Sequence, residues 1–257
     1  MHRFFIPPEN IQNNQVIFPD LTARQIYKVL RLKSGGQVLV LDNLGSQFSV
    51  QLENVGADGV TGLVLEKSLA GGEPVIRLRL FFSITQREKV EWILQKCTEI
   101  GVTAFFPFIS TYSLSREKGM DASRIRRWEK IIQEAAEQCD RGRIPILREV
   151  ISLQEAIKKV SPKRDFNLTA WEGEKNLQLR DLLRTLLPKV EPGKKVNLFI
   201  GPEGGFAEGE VAIMKKAGFA TFSLGSRIYR METAAMAASL LILYELENPL
   251  LEKAVGQ

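Results

Sequence analysis

The stretch NLFIGPEGGFAEGE, Asn197 to Glu210, decides how the chain is read: an apolar run with the look of a buried strand enters a glycine-rich loop, and the loop opens a helix. A strand, a glycine loop and a helix in that order form the repeating unit of a parallel α/β sheet. In such a loop the backbone can approach a ligand closely, because no Cβ intervenes. The loop is not a Walker-type phosphate loop, since no Gly-Lys-Ser or Gly-Lys-Thr follows, and it lacks the GxGxxG spacing of dinucleotide sites. Glu203 lies inside it, and no basic residue follows before Lys215. That charge pattern disfavours a polyphosphate and suits a neutral or cationic ligand. A tight strand-to-helix turn with no ligand explains the loop alone equally well.

Downstream, SLGSRIYRMETAAMAASLLILYEL, Ser223 to Leu246, repeats the arrangement: a strand ending in glycine, two arginines, then a helix rich in small residues. Glu232 and Thr233 suit a helix start, where a carboxylate and a hydroxyl satisfy free amides and the helix dipole. Arg227 and Arg230 beside the end of an apolar strand have no such structural reason, because arginine there ordinarily needs a partner. Upstream the same alternation holds. Strands are predicted at Val75 to Ser83, Ala104 to Ile109, Pro145 to Val150, Phe166 to Trp171, Val196 to Gly201 and Thr221 to Leu224. Helices are predicted at Arg87 to Ile100, Ser123 to Cys139, Leu153 to Val160, Leu179 to Leu187, Glu208 to Ala217 and Thr233 to Leu246. Strands alternating with helices imply a parallel sheet covered on both faces, with ligands bound beyond the carboxyl ends of its strands.

The first part of the chain has a different period. Arg3 to Ile6, Gln15 to Phe18, Gln37 to Leu41, Phe48 to Leu52 and Val60 to Leu65 read as short strands, with turn signals at Gly35-Gly36, Asn43 to Gly45 and Asp58-Gly59 and one helical piece, Leu21 to Leu30. A small β-barrel is the natural closure for such strands. Gly71-Gly72-Glu73-Pro74 reads as the linker, giving domains at 1–72 and 73–250 and a tail at 251–257.

Composition is ordinary for a globular chain of 257 residues, with a net charge of +5 and a pI near 9.2. Residues 1–72 hold six basic and six acidic side chains, so the whole excess lies beyond Gly72. That suits an anionic partner without requiring one. His2 is the only histidine, and Cys97 and Cys139 have no metal-like neighbours, which argues against zinc and against Ser-His or Cys-His catalysis. The longest uncharged apolar run, Thr233 to Tyr244, is about half of a membrane span, and no signal-like segment opens the chain. A cytoplasmic protein without a resident metal is expected.

The strings GPEGGF and LGSRIYRMETA, at successive strand ends, resemble the signature of the SPOUT methyltransferases, in particular the ribosomal RNA small subunit methyltransferase E family. HRFF at His2 to Phe5, VLR at Val29 to Arg31, QKCTEIGV at Gln95 to Val102 and EAAEQCDRGRIP at Glu134 to Pro145 are similar to the same family in the same order. The resemblance implies a PUA-like N-terminal β-barrel, a C-terminal α/β domain with a trefoil knot, a homodimer, and methylation by S-adenosyl-L-methionine of N3 of a uridine in 16S rRNA, uracil 1498, within the small ribosomal subunit. One departure is Tyr27, where the family usually shows histidine; a tyrosine can still stack or hydrogen-bond.

By the same resemblance the donor lies against Ile200, Gly201, Pro202, Glu203, Gly204 and Gly205 and against Leu224, Gly225, Ile228, Arg230, Met231 and Thr233. The strand end from Thr169 to Glu172 would form a third wall, although Trp171 is equally well a core aromatic. Arg230, with Arg227 as alternative, is the candidate for stabilising charge that develops on the uracil oxygens; the N3 proton goes to Glu232, to water, or is lost before binding. Glu134, Gln138 and Arg141 fall on one helix side or just past its end, which fits a substrate-side or dimer face, or a solvated mixed-charge helix. Lys96 and Glu99 have similar spacing and serve equally well as an internal ion pair. Arg3, Arg24, Lys28 and Arg31 are candidate phosphate contacts of the barrel, or ordinary surface charges.

Overall fold

The computed structural model describes residues 1–114 and 121–255, which fall into two compact units. The first comprises Met1–Glu73 together with Gln133–Ile144, and the second Pro74–Ile132 with the rest of the chain from Pro145.

In the first unit six strands form one sheet: β1 (Arg3–Phe5), β2 (Ile11–Gln12), β3 (Gln15–Ile17), β4 (Gln37–Leu41), β5 (Ser46–Gly56) and β6 (Gly59–Leu69), in the order β1-β4-β5-β6-β3-β2. Only the β1–β4 pair is parallel. Alternation decides which face is inside: Val38 and Val40 on β4, and Phe48, Val50 and Leu52 on β5, bury one side chain in two against Phe4, Val16, Phe18 and Val60. Where β5 and β6 slip register, beside Val50, a Cβ on Gly62 would lie 2.5 Å from Val50 Cγ1 and 2.9 Å from the Gln51 carbonyl oxygen. Only glycine permits that approach. The expected helical piece is a short helix α1 (Asp20–Arg24) running into a π-helical turn, Gln25–Val29, which buries Ile26 and leaves Tyr27, Lys28 and Val29 exposed.

Gln133–Ile144 docks on the other side of β1. Phe5, Leu41 and Ala136 form a second small cluster with Ala70 and Ile144, and Glu137 accepts the Phe5 amide at 3.1 Å. Arg141, 2% exposed, grips Glu73 through Nε at 3.2 Å and Nη2 at 2.8 Å.

The second unit is the parallel sheet: β7 (Arg77–Ser83), β8 (Ala104–Ile109), β9 (Ile146–Leu147), β10 (Ile151–Ser152), β11 (Phe166–Ala170), β12 (Lys195–Ile200) and β13 (Ala220–Phe222), ordered β10-β8-β7-β12-β11-β13 with β9 also on β8. Its helices are α2 (Arg87–Ile100), α3 (Ala122–Gln138, whose last residues group with the first unit), α4 (Leu153–Lys158), α5 (Leu179–Leu186), α6 (Glu208–Lys216) and α7 (Met231–Val255). The register sets Phe106, Phe81 and Phe199 side by side on β8, β7 and β12, with ring centroids 4.3 and 4.2 Å apart. Side chains of α4 and α6, among them Leu153, Ala156, Val211 and Met214, close over that row. On α2, Val90, Ile93, Leu94 and Cys97 are spaced to make one buried stripe, and α2 packs on α7, which also meets β7 and β12.

Two expectations change. The strand predicted from Pro145 to Val150 shortens to β9, with β10 a separate strand just beyond the predicted range, and α7 runs on past Leu246 into the expected tail, of which 256–257 lie outside the described residues. Cys97 is fully buried, which pushes its thiol up to about 12 and makes it an unreactive core residue. Among the described residues, no helix is long and apolar enough to cross a membrane, and no group of His, Cys, Asp and Glu is placed to hold a metal ion.

Candidate functional site

At the carboxyl ends of β11, β12 and β13 the second unit opens a cleft of about 850 Å³. This is where a parallel sheet offers free strand ends next to a change in chain direction: β8 follows β7 on one side, while β12 and β11 lie on the other. The loop after β12 forms one wall. Its turn closes with the Gly205 amide donating to the Pro202 carbonyl at 2.9 Å, and Gly205 has φ +71°. A Cβ there would sit 1.9 Å from Glu172 Oε1, so glycine lets this loop and the exposed Glu172 carboxylate stand together. The loop then enters α6, where Glu210 accepts the Ala207 amide through Oε2 at 3.0 Å and the Thr111 amide and hydroxyl through Oε1 at 2.8 and 2.9 Å. Glu210 thus fastens the end of the glycine loop to the segment that follows β8.

Residues 223–231 form the opposite wall. The Gly225 amide donates to Ser223 Oγ at 3.1 Å, and the Trp171 amide donates to the Phe222 carbonyl at 3.0 Å, tying the end of β11 to that of β13. Ala170, Trp171 and Glu172 form the third wall, Trp171 with Lys215 Nζ 5.2 Å from its ring centroid.

Most of the expected donor-site residues line this one cleft: Ile200 to Gly205 from one loop and Leu224, Gly225, Ile228, Arg230 and Met231 from the other. Thr169 and Thr233 do not. Thr169 is fully buried within β11, its hydroxyl 4.0 Å from Met214 Sδ, because strand alternation turns it to the core. Of the acid–base candidates, Arg227 and Arg230 are on the lining and exposed, and among the described residues neither has an ion pair or side-chain hydrogen bond. Glu232, in the first turn of α7, is off the lining, with a buried Oε2 that has no hydrogen-bond partner among the described residues.

The charge of Glu203 is already engaged. Lys89 pairs with it, and the Thr85 hydroxyl donates to Oε1 at 3.3 Å. The Lys89 hydrogen bond comes first among the causes that hold this carboxyl below its usual range, and the nearby Arg230 guanidinium adds to it. Lys89 and Thr85 escaped the sequence reading, although the rule that picked out the two glycine loops also applies to the end of β7, which they follow. The cleft therefore combines glycine-lined backbone, an aromatic wall, a lysine-paired carboxylate, the free carboxylate of Glu172, and two unpaired arginines at the mouth. It can take a partly cationic ligand against the loops and an anionic group against the arginines.

The expected RNA contacts divide. Arg24, Lys28 and Arg31 are exposed on the first unit, as are Glu134 and Gln138. Arg141 is not available, because its guanidinium is buried on Glu73; nor is Arg3, which donates to the Arg141 carbonyl at 3.3 Å and pairs with Asp140 at 3.3 Å. Both hold Gln133–Ile144 against the strands of the first unit. Lys96 and Glu99 form the internal ion pair, at 2.9 Å.

A family model described as an RNA methyltransferase domain matches residues 72–243. The ribosomal RNA small subunit methyltransferase E of Bacillus subtilis (strain 168) is 30% identical over 253 residues, 96% of this chain and 98% of that protein. The protein of the same name from Synechocystis is 29% identical over 92% of this chain and 75% of its own length. Among solved structures, a ribosomal RNA small subunit methyltransferase E from Neisseria gonorrhoeae bound to S-adenosyl methionine superposes with a TM-score of 0.82 at 29% identity, covering 94% of this chain and 96% of that one. A putative methyltransferase from Legionella pneumophila, in complex with the same cofactor, gives 0.83 at 27% identity over the same shares. With the model spanning most of the chain and a relative aligned over nearly all of it, this chain belongs to the RNA methyltransferases, in the ribosomal RNA small subunit methyltransferase E family.

Proposed function

We propose that the chain methylates N3 of one uridine of 16S rRNA in the small ribosomal subunit, uracil 1498 by family resemblance, with S-adenosylmethionine as donor. The observation that carries this reading is the pair of unpaired arginines, Arg227 and Arg230, facing a glycine-lined cleft at the strand ends. The residues fit the donor: bare backbone at Gly204 and Gly205, the ring of Trp171, and the carboxylate of Glu172 for a molecule carrying positive charge. When bound, S-adenosylmethionine supplies a methyl group on a cationic sulfur, and the leaving thioether is neutral, so no acid is needed on the donor side.

The work of this chain's residues is on the acceptor. Loss of the N3 proton spreads negative charge over the two uracil carbonyl oxygens, and a guanidinium near them stabilises that charge as it forms. Arg230, beside Glu203 on the lining, takes this role, and Arg227 holds the adjoining phosphate or the second oxygen. Of the two exposed carboxylates on the lining, Glu203 is paired with Lys89, which leaves Glu172 to receive the proton, a better placement than that of Glu232. In the first unit, Arg24, Lys28 and Arg31 around exposed Tyr27 position RNA without reading its sequence. The family's knot, its cytoplasmic setting and its homodimer belong to the same reading. For the dimer, α7 offers Leu240, Leu241 and Tyr244, which are 55%, 44% and 64% exposed. Leu240→Glu is expected to turn a dimer into a monomer by sedimentation.

Reverse transcription across 16S rRNA tests the assignment, because N3 methylation blocks pairing and stops the polymerase. The stop should vanish in cells lacking the gene and return with the wild-type gene; persistence in the deletion strain refutes the N3 assignment.

A further inference from the structure

A second cleft, of about 500 Å³, opens at the amino ends of β7, β11 and β12. It is lined by Arg79 near the start of β7, Lys158 and Lys159 at the end of α4, Arg164 before β11, and Lys194 and Lys195 at the start of β12. Against these six cations stand only Asp165 and Glu191, a local excess of +4 that nearly equals the +5 of the whole chain. Both acids are occupied. Asp165 accepts the Ser161 amide and Asn197 Nδ2, each at 3.2 Å, and stands 3.8 Å from Arg79 Nη1. Glu191 lies 3.9 Å from Lys194.

The floor is built and the rim is free. Arg79 lies over the Phe106 ring at 4.8 Å and donates to the Lys159 carbonyl at 3.4 Å, which fixes its guanidinium at the base of the cleft. Beneath it Asn167 and Asn197, on adjacent strands, join by a 2.6 Å hydrogen bond. Around the rim Lys158, Lys159, Arg164 and Lys195 are exposed and, among the described residues, have no ion pair. Among the described residues no aromatic side chain lines this cleft, so it offers no aromatic platform for a base. Flexible cations around a fixed guanidinium suit a phosphodiester, which they hold by charge without reading sequence.

We propose that this cleft binds the phosphate backbone of an RNA segment flanking the methylated nucleotide. The inference rests on RNA being the substrate. β12 separates the two clefts along its six residues, about 20 Å at ~3.3 Å each, too far for the reacting nucleotide to occupy both. The RNA would thus be held at both ends of the sheet.

The test uses the full chain with Lys158→Ala, Arg164→Ala and Lys195→Ala combined, all exposed positions whose loss leaves Arg79 and the asparagine floor intact. Binding of 16S rRNA is measured across a salt series, with donor binding by calorimetry alongside. The variant is expected to bind RNA about tenfold more weakly, with the slope of log affinity against log salt flatter by roughly 2 to 3 for three lost contacts, and with unchanged donor binding. Wild-type RNA affinity and slope in the variant overturn the proposal, as does weakened binding of tripolyphosphate with RNA binding intact. Methyl transfer by the wild-type chain is scored separately: a chain that binds 16S rRNA without methylating it refutes the catalytic reading and still leaves the second cleft testable.

Discussion

Replacing Arg230 by alanine separates catalysis from binding. The side chain is exposed and has no ion pair or side-chain hydrogen bond among the described residues, so its removal should change folding stability by no more than about 0.5 kcal/mol. The loop after β12 keeps its fastenings, Gly205 to Pro202 and Glu210 to Ala207 and Thr111, and the 223–231 loop keeps its Gly225 to Ser223 bond, none of which involves the Arg230 side chain. Donor affinity should therefore stay within about threefold, a change of about 0.7 kcal/mol. The developing uracil anion loses a charged donor, and such a loss costs about 2.7 to 4 kcal/mol, or a hundredfold to a thousandfold in rate. Arg230→Lys keeps the charge but loses the planar fork and should fall between the two. The assay is single-turnover transfer of labelled methyl to 16S rRNA at saturating donor, with calorimetry on the same preparations. Transfer by Arg230→Ala at the wild-type rate refutes the role given to this arginine. Loss of donor binding in step with the rate makes it part of the donor site instead.

Arg141→Ala removes one partner of a buried pair and leaves Glu73, 27% exposed, without its guanidinium; destabilisation of about 2 to 4 kcal/mol is expected by urea unfolding, and a shift under 1 kcal/mol contradicts the structural role assigned to it. Gly205→Ala forces a side chain onto a residue at φ +71° and displaces the Glu172 carboxylate, so stability should drop by about 1 kcal/mol and donor affinity about tenfold; an unchanged affinity means that this loop does not touch the donor. Hydrogen bonds from Arg127 and then Arg87 hold the Glu91 carboxyl at about 2, below its ordinary 4.5, so the stabilisation is fully present above the ordinary value and disappears as the pH falls from about 4.5 through 2. Glu91→Gln should flatten that part of the urea midpoint against pH, and an acid limb identical to wild type shows that the ion pair contributes nothing.

What was legible in the sequence is what depends on neighbours along the chain. The helix from Arg87 to Ile100 has its boundaries written in a buried stripe of period 3.6 and in Gly101 at φ +118°, and both glycine loops were found because their backbone geometry needs residues a few places apart. Pairing across the fold was not legible. The expected strand from Pro145 to Val150 is cut short because Ile146 and Leu147 pair with Ala104 and Phe105, whereas pairing with β8 resumes only at Ile151, opposite Phe108, with the register slipped by one residue. Arg141 was grouped with Glu134 and Gln138 by helical spacing, but its position is decided by Glu73, 68 residues earlier. The same limit governs how the cleft is read. From the sequence, position at a strand end singled out Arg227 and Arg230, with nothing to say whether they or Lys89 and Lys215 had partners. In the structure Lys89 is paired with Glu203 and Lys215 lies 3.6 Å from Glu174, while Arg87 and Arg127 share Glu91. Arg227 and Arg230 remain the candidates for an anionic acceptor because, among the described residues, the other cations around the cleft already have carboxylates of their own.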